Sequence, residues 1–188
     1  MKNCFPTTTI LMLICILTAA FSATAQLYEV SLDDKIRQSS LIVEGKVSEK
    51  ESYRTSNGRI YTANKIDVIT LFKGDNRDLC LTITTWGGLV GDEEQTWTHM
   101  LTLETGTKGI FFLEPSRLPG ISTSGWPAPA YEVYSGVQGF IEFSQQQGNK
   151  AWIASEPFHV YEDIPGQLYR QIEKLSGQLP EQIGVASM

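Results

Sequence analysis

Ser39-Ser40-Leu41-Ile42-Val43-Glu44-Gly45-Lys46-Val47, resumed after a polar stretch by Arg59-Ile60-Tyr61-Thr62-Ala63 and running on to Leu71-Phe72-Lys73-Gly74, decides the fold. Between the two runs stands Ser56-Asn57-Gly58. Asn and Gly accept the positive φ that a tight turn needs, so the stretch reads as a β-hairpin. Leu41, Val43 and Val47 alternate with Glu44 and Lys46, and Ile66 and Val68 alternate with Lys65 and Asp67. A period of two turns one face of each strand to a core and the other to solvent.

Working outward, Gly74-Asp75-Asn76 is turn chemistry. In the next run Leu79, Leu81 and Ile83 alternate with Cys80, Thr82 and Thr84, which leaves Cys80 partly buried on the Thr face. Gly87-Gly88 breaks the pattern, and Gly91-Asp92-Glu93-Glu94 extends the break as a solvated loop tip. Residues Trp97 to Leu103 predict a further strand, and Gly106 marks a turn. The unbroken apolar run Gly109-Ile110-Phe111-Phe112-Leu113 predicts a central strand buried on both faces. Four prolines between Pro115 and Pro129 make a loop, anchored at Trp126-Pro127. Tyr131 to Tyr134, Phe140 to Phe143 and Ala151 to Ile153 are short strands, the last two joined by a turn at Gln145 to Asn149. Leu41, Val43, Ile66, Val68, Leu81, Ile83, Ile110 and Phe112 are expected to be buried together.

Two helices flank the strands. Ser31-Leu32-Asp33-Asp34 has the spacing of a capping box, with Leu32 and Ile36 on one face. At the other end Asp163 caps, Pro165 sits in the first turn, and Ile164, Leu168, Ile172 and Leu175 share a face before Gly177 stops the helix. The fold class is therefore mostly β: a small OB-like barrel or sandwich with a short N-terminal and a C-terminal helix.

The first 25 residues read as an export signal. Lys2 is the positive start, Ile10 to Phe21 is an apolar run too short to span a bilayer, and Ala23-Thr24-Ala25 is a small-x-small cleavage site. Gln26 becomes the expected mature N-terminus of one β-rich domain over 26–188, periplasmic or extracellular. Lipid attachment at Cys15 is the rival, disfavoured because bulky Ile14 precedes it inside the apolar run. Cys4 and Cys15 leave with the signal, so Cys80 has no partner for an internal disulfide. The formal net charge is −6, and one unit more negative without Lys2. Such a surface repels phosphate backbones, which argues against nucleic acid. No second apolar run is long enough for a membrane span.

At Leu41 to Val47, Tyr61-Thr62, Phe72-Lys73-Gly74 and Gly106 to Leu113 the chain resembles an N-terminal module of secreted bacterial proteins of the type IX-exported kind. Tyr131 to Tyr134, Gln138 to Ile141, Pro157-Phe158 and Tyr161 to Ile164 continue the likeness. More distantly it resembles netrin-like domains, a group that includes the tissue inhibitors of metalloproteinases and has a five-stranded OB-type barrel. That resemblance implies the barrel. It does not carry over inhibition, because the cysteines of that group are absent.

The chemistry-bearing residues are sparse. His99 and His159 lack a neighbouring His or Cys at metal-ligand spacing, so no metal or cofactor is expected. No Gly-x-Ser-x-Gly elbow marks a nucleophile. A hydrolase would need a cleft where His99 or His159 meets Cys80, a Ser or a carboxylate, as in a Ser-His-Asp triad or a Cys80–His99 pair. Asp92-Glu93-Glu94 lacks the spacing of a calcium loop, and Gly87 to Gly91 lacks the Lys-Ser/Thr of a phosphate loop. Trp86, Trp97, Trp126 and Trp152 either stack on sugars or close the barrel. The expected ligand site is Trp86, Gly87, Gly88, Asp92, Glu93, Glu94, Trp97 and His99. The expected function is a non-catalytic exported binding module for an extracellular or periplasmic protein or glycan. A secreted, protease-associated hydrolase and a protease inhibitor acting through the 115–130 loop are the alternatives.

Overall fold

The computed structural model describes residues 28–184 except 99, 122–124, 128–129, 147–148, 155–159 and 162–165. The expected export signal and cleavage site lie outside the described residues. The hairpin forms as expected: β1 (Leu41–Arg54) pairs antiparallel with β2 (Ile60–Lys73), each 14 residues long. Gly58 takes φ +81° at its tip, and Asn57 Oδ1 accepts from the Thr55 hydroxyl at 2.6 Å and the Arg59 amide at 3.2 Å.

Strand β3 (Cys80–Trp86) extends the meander on β2. The closing strand β6 (Lys108–Pro115) pairs with the other edge of β1, from Leu41 opposite Leu113 to Lys46 opposite Lys108. Strand β7 (Ala130–Val133) joins β6 antiparallel and β3 parallel. The ring β1-β2-β3-β7-β6 thus closes on itself, a five-stranded barrel with the connectivity of an OB-type fold. Beyond the ring, β8 (Phe140–Gln146), β9 (Asn149–Ala154) and β10 (Val160–Tyr161) continue antiparallel from β6.

Two apolar clusters lie on opposite faces of the barrel wall. Leu41, Val43, Ile66, Val68, Leu81, Ile83, Phe111 and Leu113 fill the interior with Leu101, Leu103 and Phe140. Ile42, Phe72, Ile110, Phe112 and Ile141 pack outside it against Ile36, Leu168 and Ile172 of the helices. All eight expected core residues are buried, but Ile110 and Phe112 belong to the outer cluster. The alternation of Gly109 to Leu113 divides its side chains between two cores, as burial on both faces requires. Leu79 departs from expectation at 67 % exposure, because it precedes β3 and has no sheet to cover it.

Helix α1 (Leu32–Gln38) is capped by Ser31, whose hydroxyl accepts from the Asp34 amide at 3.1 Å and donates to its carboxylate at 2.6 Å. At its other end Lys73 Nζ donates to the carbonyls of Ile36, Arg37 and Ser39 at 2.6, 3.0 and 2.6 Å. An ammonium at a helix C-terminus satisfies carbonyls that have no partner within the helix. Helix α2 (Gln167–Ser176) starts later than expected, behind Gly166 rather than Asp163, and stops at Gly177. Asp163, Ile164 and Pro165 lie outside the described residues. Leu168 and Ile172 are buried, but Leu175 is 39 % exposed because the last turn runs past the outer cluster. Strand β11 (Glu181–Gln182) then returns to β2 beside Thr70 and Leu71.

Glutamine side chains tie several of these connections to backbone. Gln138 donates to Tyr28 O at 2.9 Å and accepts from the Val30 amide at 2.8 Å, holding the described N-terminus. Gln178 accepts from the Gly74 amide at 2.8 Å, and Gln182 donates to Ile69 O at 3.2 Å.

Lys35 of α1 is only 2 % exposed. Burial pushes its ammonium below the ordinary lysine value, partly offset by Glu29. The folded chain therefore holds this proton less tightly than the unfolded chain. The cost to stability is fully present below the lowered folded value and fades as the pH climbs toward the ordinary lysine value of 10.5. Lys35→Met is expected to raise the urea midpoint at about pH 7 and to raise it less as the pH approaches the unfolded lysine value of 10.5. A midpoint difference that stays constant across that range would show that the ammonium keeps its hydration.

Candidate functional site

Strand β6 pairs with β1 only as far as Lys46. Val47 still bonds to Thr107 and Gly106 and packs in the interior cluster; beyond it the hairpin projects past β6, and the two longest connections lie against it. The connection from β3 to β6 begins with β4 (Gly88–Val90) and β5 (Glu93–Gln95), a small antiparallel hairpin turning at Gly91-Asp92 with Gly91 at φ +62°. Glu93 and Glu94 are therefore strand residues, not loop-tip residues as expected. The register does keep the carboxylates of Asp92, Glu93 and Glu94 exposed.

The double glycine at 87–88 has a steric reason. A Cβ at Gly88 would run into the hydroxyls of Ser52 and Thr62, and one at Gly87 into the Gln95 carbonyl. Ser52 and Thr62 bond each other at 2.9 Å, and Thr62 donates to Gly87 O at 2.7 Å. Gln95 fastens β5 to the hairpin tip: its side chain donates to Gly58 O at 3.1 Å and accepts from the Ile60 amide at 2.9 Å. Arg54 pairs with Glu93 at 2.8 Å. The hydrogen bond from Arg54, then that from Gln95, holds the exposed Glu93 carboxyl below the usual range.

On the opposite face, described residues of the connection from β6 to β7 bond to the sheet. Trp126 Nε1 donates to Glu51 Oε2 at 3.1 Å, which makes Trp126 the anchor expected for this loop. Thr82 donates to Pro127 O at 2.8 Å, and the Tyr53 hydroxyl donates to Pro119 O. This cover buries Thr82 and Thr84, so β3 has two buried faces rather than the one expected.

Aromatic rings run in a row across the projecting sheet and off its edge. Tyr53 and Tyr61 are 6.1 Å apart, Tyr61 and Trp86 5.0 Å, and Trp86 and Trp97 5.8 Å with planes at 70°. Tyr61 is buried, Trp86 is half-buried, and Trp97 is 48 % exposed. Arg59 lies over the Trp86 ring, 5.7 Å from its centroid. Burial raises the Tyr53 phenol above its ordinary value.

The structure thus brings Trp86, Gly87, Gly88 and Trp97 together beside the Asp92-Glu93-Glu94 hairpin. His99 lies outside the described residues. Among the described residues from Trp97 to Leu103 the expected strand is absent: Leu101 and Leu103 are buried, but without ladder pairing, and the Met100 amide turns back to Trp97 O at 3.3 Å. Sequence reasoning missed Tyr53, Arg59, Tyr61 and Gln95. Counting outward from Ser56-Asn57-Gly58 would have set Tyr53 opposite Tyr61.

A second polar cluster was also missed. Glu44, read as solvent-facing, is 5 % exposed because α2 covers the outer face of the barrel. Its carboxylate accepts from Thr70 at 3.1 Å and Tyr169 at 2.7 Å and pairs with Lys108 at 3.0 Å. These bonds fasten α2 to the barrel.

Cys80 is half-buried at the start of β3, and both histidines lie outside the described residues. Among the described residues no three His, Cys, Asp or Glu side chains gather as a metal site, and no helix is long and apolar enough to cross a membrane. No family model matches the chain, and no curated protein matches it.

Proposed function

We propose that this chain is an exported, non-catalytic binding module that meets its partner at the end of the projecting hairpin. The observation that carries this reading is the aromatic row that leaves the core at Tyr61 and ends in half-exposed Trp97. A large aromatic ring left in water costs hydrophobic free energy, and such rings concentrate where partners dock. The adjoining acidic hairpin favours a cationic or hydroxyl-rich partner, a basic polypeptide or a glycan, over an anion. The clamps of Gln95 and Gly88 on the hairpin support the reading as well, because a surface built in advance binds with less ordering cost. Export rests on the signal-like first 25 residues and on the resemblance to secreted modules.

Two variants test the site. Trp97→Ala, and separately Asp92→Asn with Glu93→Gln and Glu94→Gln, should each abolish retention of the partner from growth medium by the immobilised chain. Both variants should keep the parent's circular dichroism spectrum and cooperative melt. The acidic triple gives up the Arg54–Glu93 pair and Trp97→Ala the contact with Trp86, so melting temperatures should fall by no more than about 4 °C. Undiminished retention by the acidic triple, together with unfolding of Trp97→Ala, would make this end scaffold and move the binding face elsewhere.

A further inference from the structure

We infer that the Trp86–Trp97 corner takes a guanidinium side chain of a partner polypeptide, and that Arg59 is the internal occupant this ligand displaces. The inference rests on the binding-module reading and names the chemistry of its partner.

The Arg59 guanidinium carbon, 5.7 Å from the Trp86 centroid, is within the range at which an indole face attracts a cation. Arg59 is exposed, and it takes part in none of the ion pairs among the described residues. Its backbone, in contrast, is fully held. Its amide donates to Asn57 Oδ1 at 3.2 Å, and its carbonyl accepts from the Thr55 amide and hydroxyl, both at 2.9 Å. Gln95 holds the flanking Gly58 carbonyl and Ile60 amide. The hairpin tip therefore keeps its shape when the Arg59 side chain swings away. Exchange of one guanidinium for another needs only side-chain rotation.

The surroundings suit such a ligand. Trp97 stands at 70° to Trp86, so the two indoles form a corner rather than a flat platform. A planar guanidinium needs one ring face and leaves its N–H groups free for carboxylates. The hairpin that carries Asp92 and Glu94 is bonded through Gln95 to the residues on either side of Arg59. Glu93 is already paired with Arg54, whereas Asp92 and Glu94 enter no ion pair among the described residues. The net charge of −6 adds long-range attraction for a basic partner.

The test measures binding of an oligoarginine peptide by tryptophan fluorescence, with oligoglutamine and spermidine as comparison ligands. Arg59→Gln removes the internal competitor and is expected to tighten oligoarginine binding about two- to fivefold, the occupancy ratio that one exposed cation–π contact sets. Arg59→Lys keeps the charge but loosens the planar stack, so its affinity should fall between the two. Trp86→Leu, checked for an unchanged fold by circular dichroism, should lose binding.

Unchanged or weaker binding by Arg59→Gln overturns the inference, as does an Arg59→Lys affinity equal to the parent's. Equal binding of oligoglutamine, or of spermidine as tightly as oligoarginine, overturns it as well. If oligoarginine fails to bind while Trp97→Ala still loses the partner from medium, the module reading stands and the guanidinium inference alone falls. If Trp97→Ala and the acidic triple both retain the partner, the module site itself is refuted, and the peptide measurement still decides the inference directly.

Discussion

Phe112→Ala is expected to lower the free energy of unfolding by about 3–5 kcal/mol, read from the urea midpoint at unchanged slope. Phe112 is fully buried in the outer cluster, among Ile36, Ile42, Phe72, Leu168 and Ile172. Removing its ring leaves a void where the barrel wall meets both helices. The loss is a large share of the roughly 5–15 kcal/mol that holds a domain together. Since the cavity opens outside the barrel, amides of α1 and α2 should lose exchange protection before those of β1 and β2. A cost below about 1 kcal/mol would mean that the outer cluster collapses onto the vacancy and that the helices are held by other contacts.

The second large effect is expected at Glu44. Lys108→Met strands a buried carboxylate with only Thr70 and Tyr169 as donors. Breaking a buried pair costs about 3–5 kcal/mol. Lys108 is 30 % exposed, so solvent already screens part of the attraction and about 2–3 kcal/mol is expected. Glu44→Gln in the Lys108→Met background should recover most of that loss, because the amide oxygen still accepts from Tyr169 or Thr70 without a charge to compensate. If the double variant is no more stable than Lys108→Met alone, the loss comes from the ammonium's contact over the Phe143 ring, with Nζ 5.6 Å from the centroid, and not from stranding the Glu44 charge.

The hairpin, the capping box at Ser31 and the doubly buried closing strand were legible because each rests on local pattern. Asn57-Gly58 can turn, Ser31 and Asp34 are three residues apart, and five apolar residues in a row leave no polar face. Barrel closure was legible only through resemblance, since the β1–β6 and β3–β7 pairings join residues distant in sequence. Glu44 shows how a period of two misleads. Alternation marks faces, but α2 covers the second face, and nothing near Glu44 in sequence announces Lys108 or Tyr169. Leu101 and Leu103 mislead in the opposite sense, because apolar alternation reports burial and not a ladder partner. Of the candidate site, Trp86, Trp97 and the glycines were visible as a break between strands. Tyr53, Tyr61 and Arg59 were not, because Tyr61 and Arg59 meet Trp86, and Tyr53 meets Tyr61, only through strand register.

The glutamine clamps have a consequence for the conditions this fold tolerates. Gln95, Gln138, Gln178 and Gln182 each tie a connection to backbone groups with an uncharged amide. An amide does not titrate in the range where carboxylates and histidines do, and dissolved ions do not screen it as they screen Arg77–Glu181 or Lys65–Glu49. Brine would weaken the exposed ion pairs and leave these ties intact. The hairpin tip, the described N-terminus and the return of the chain to β2 are thus held by bonds indifferent to the medium.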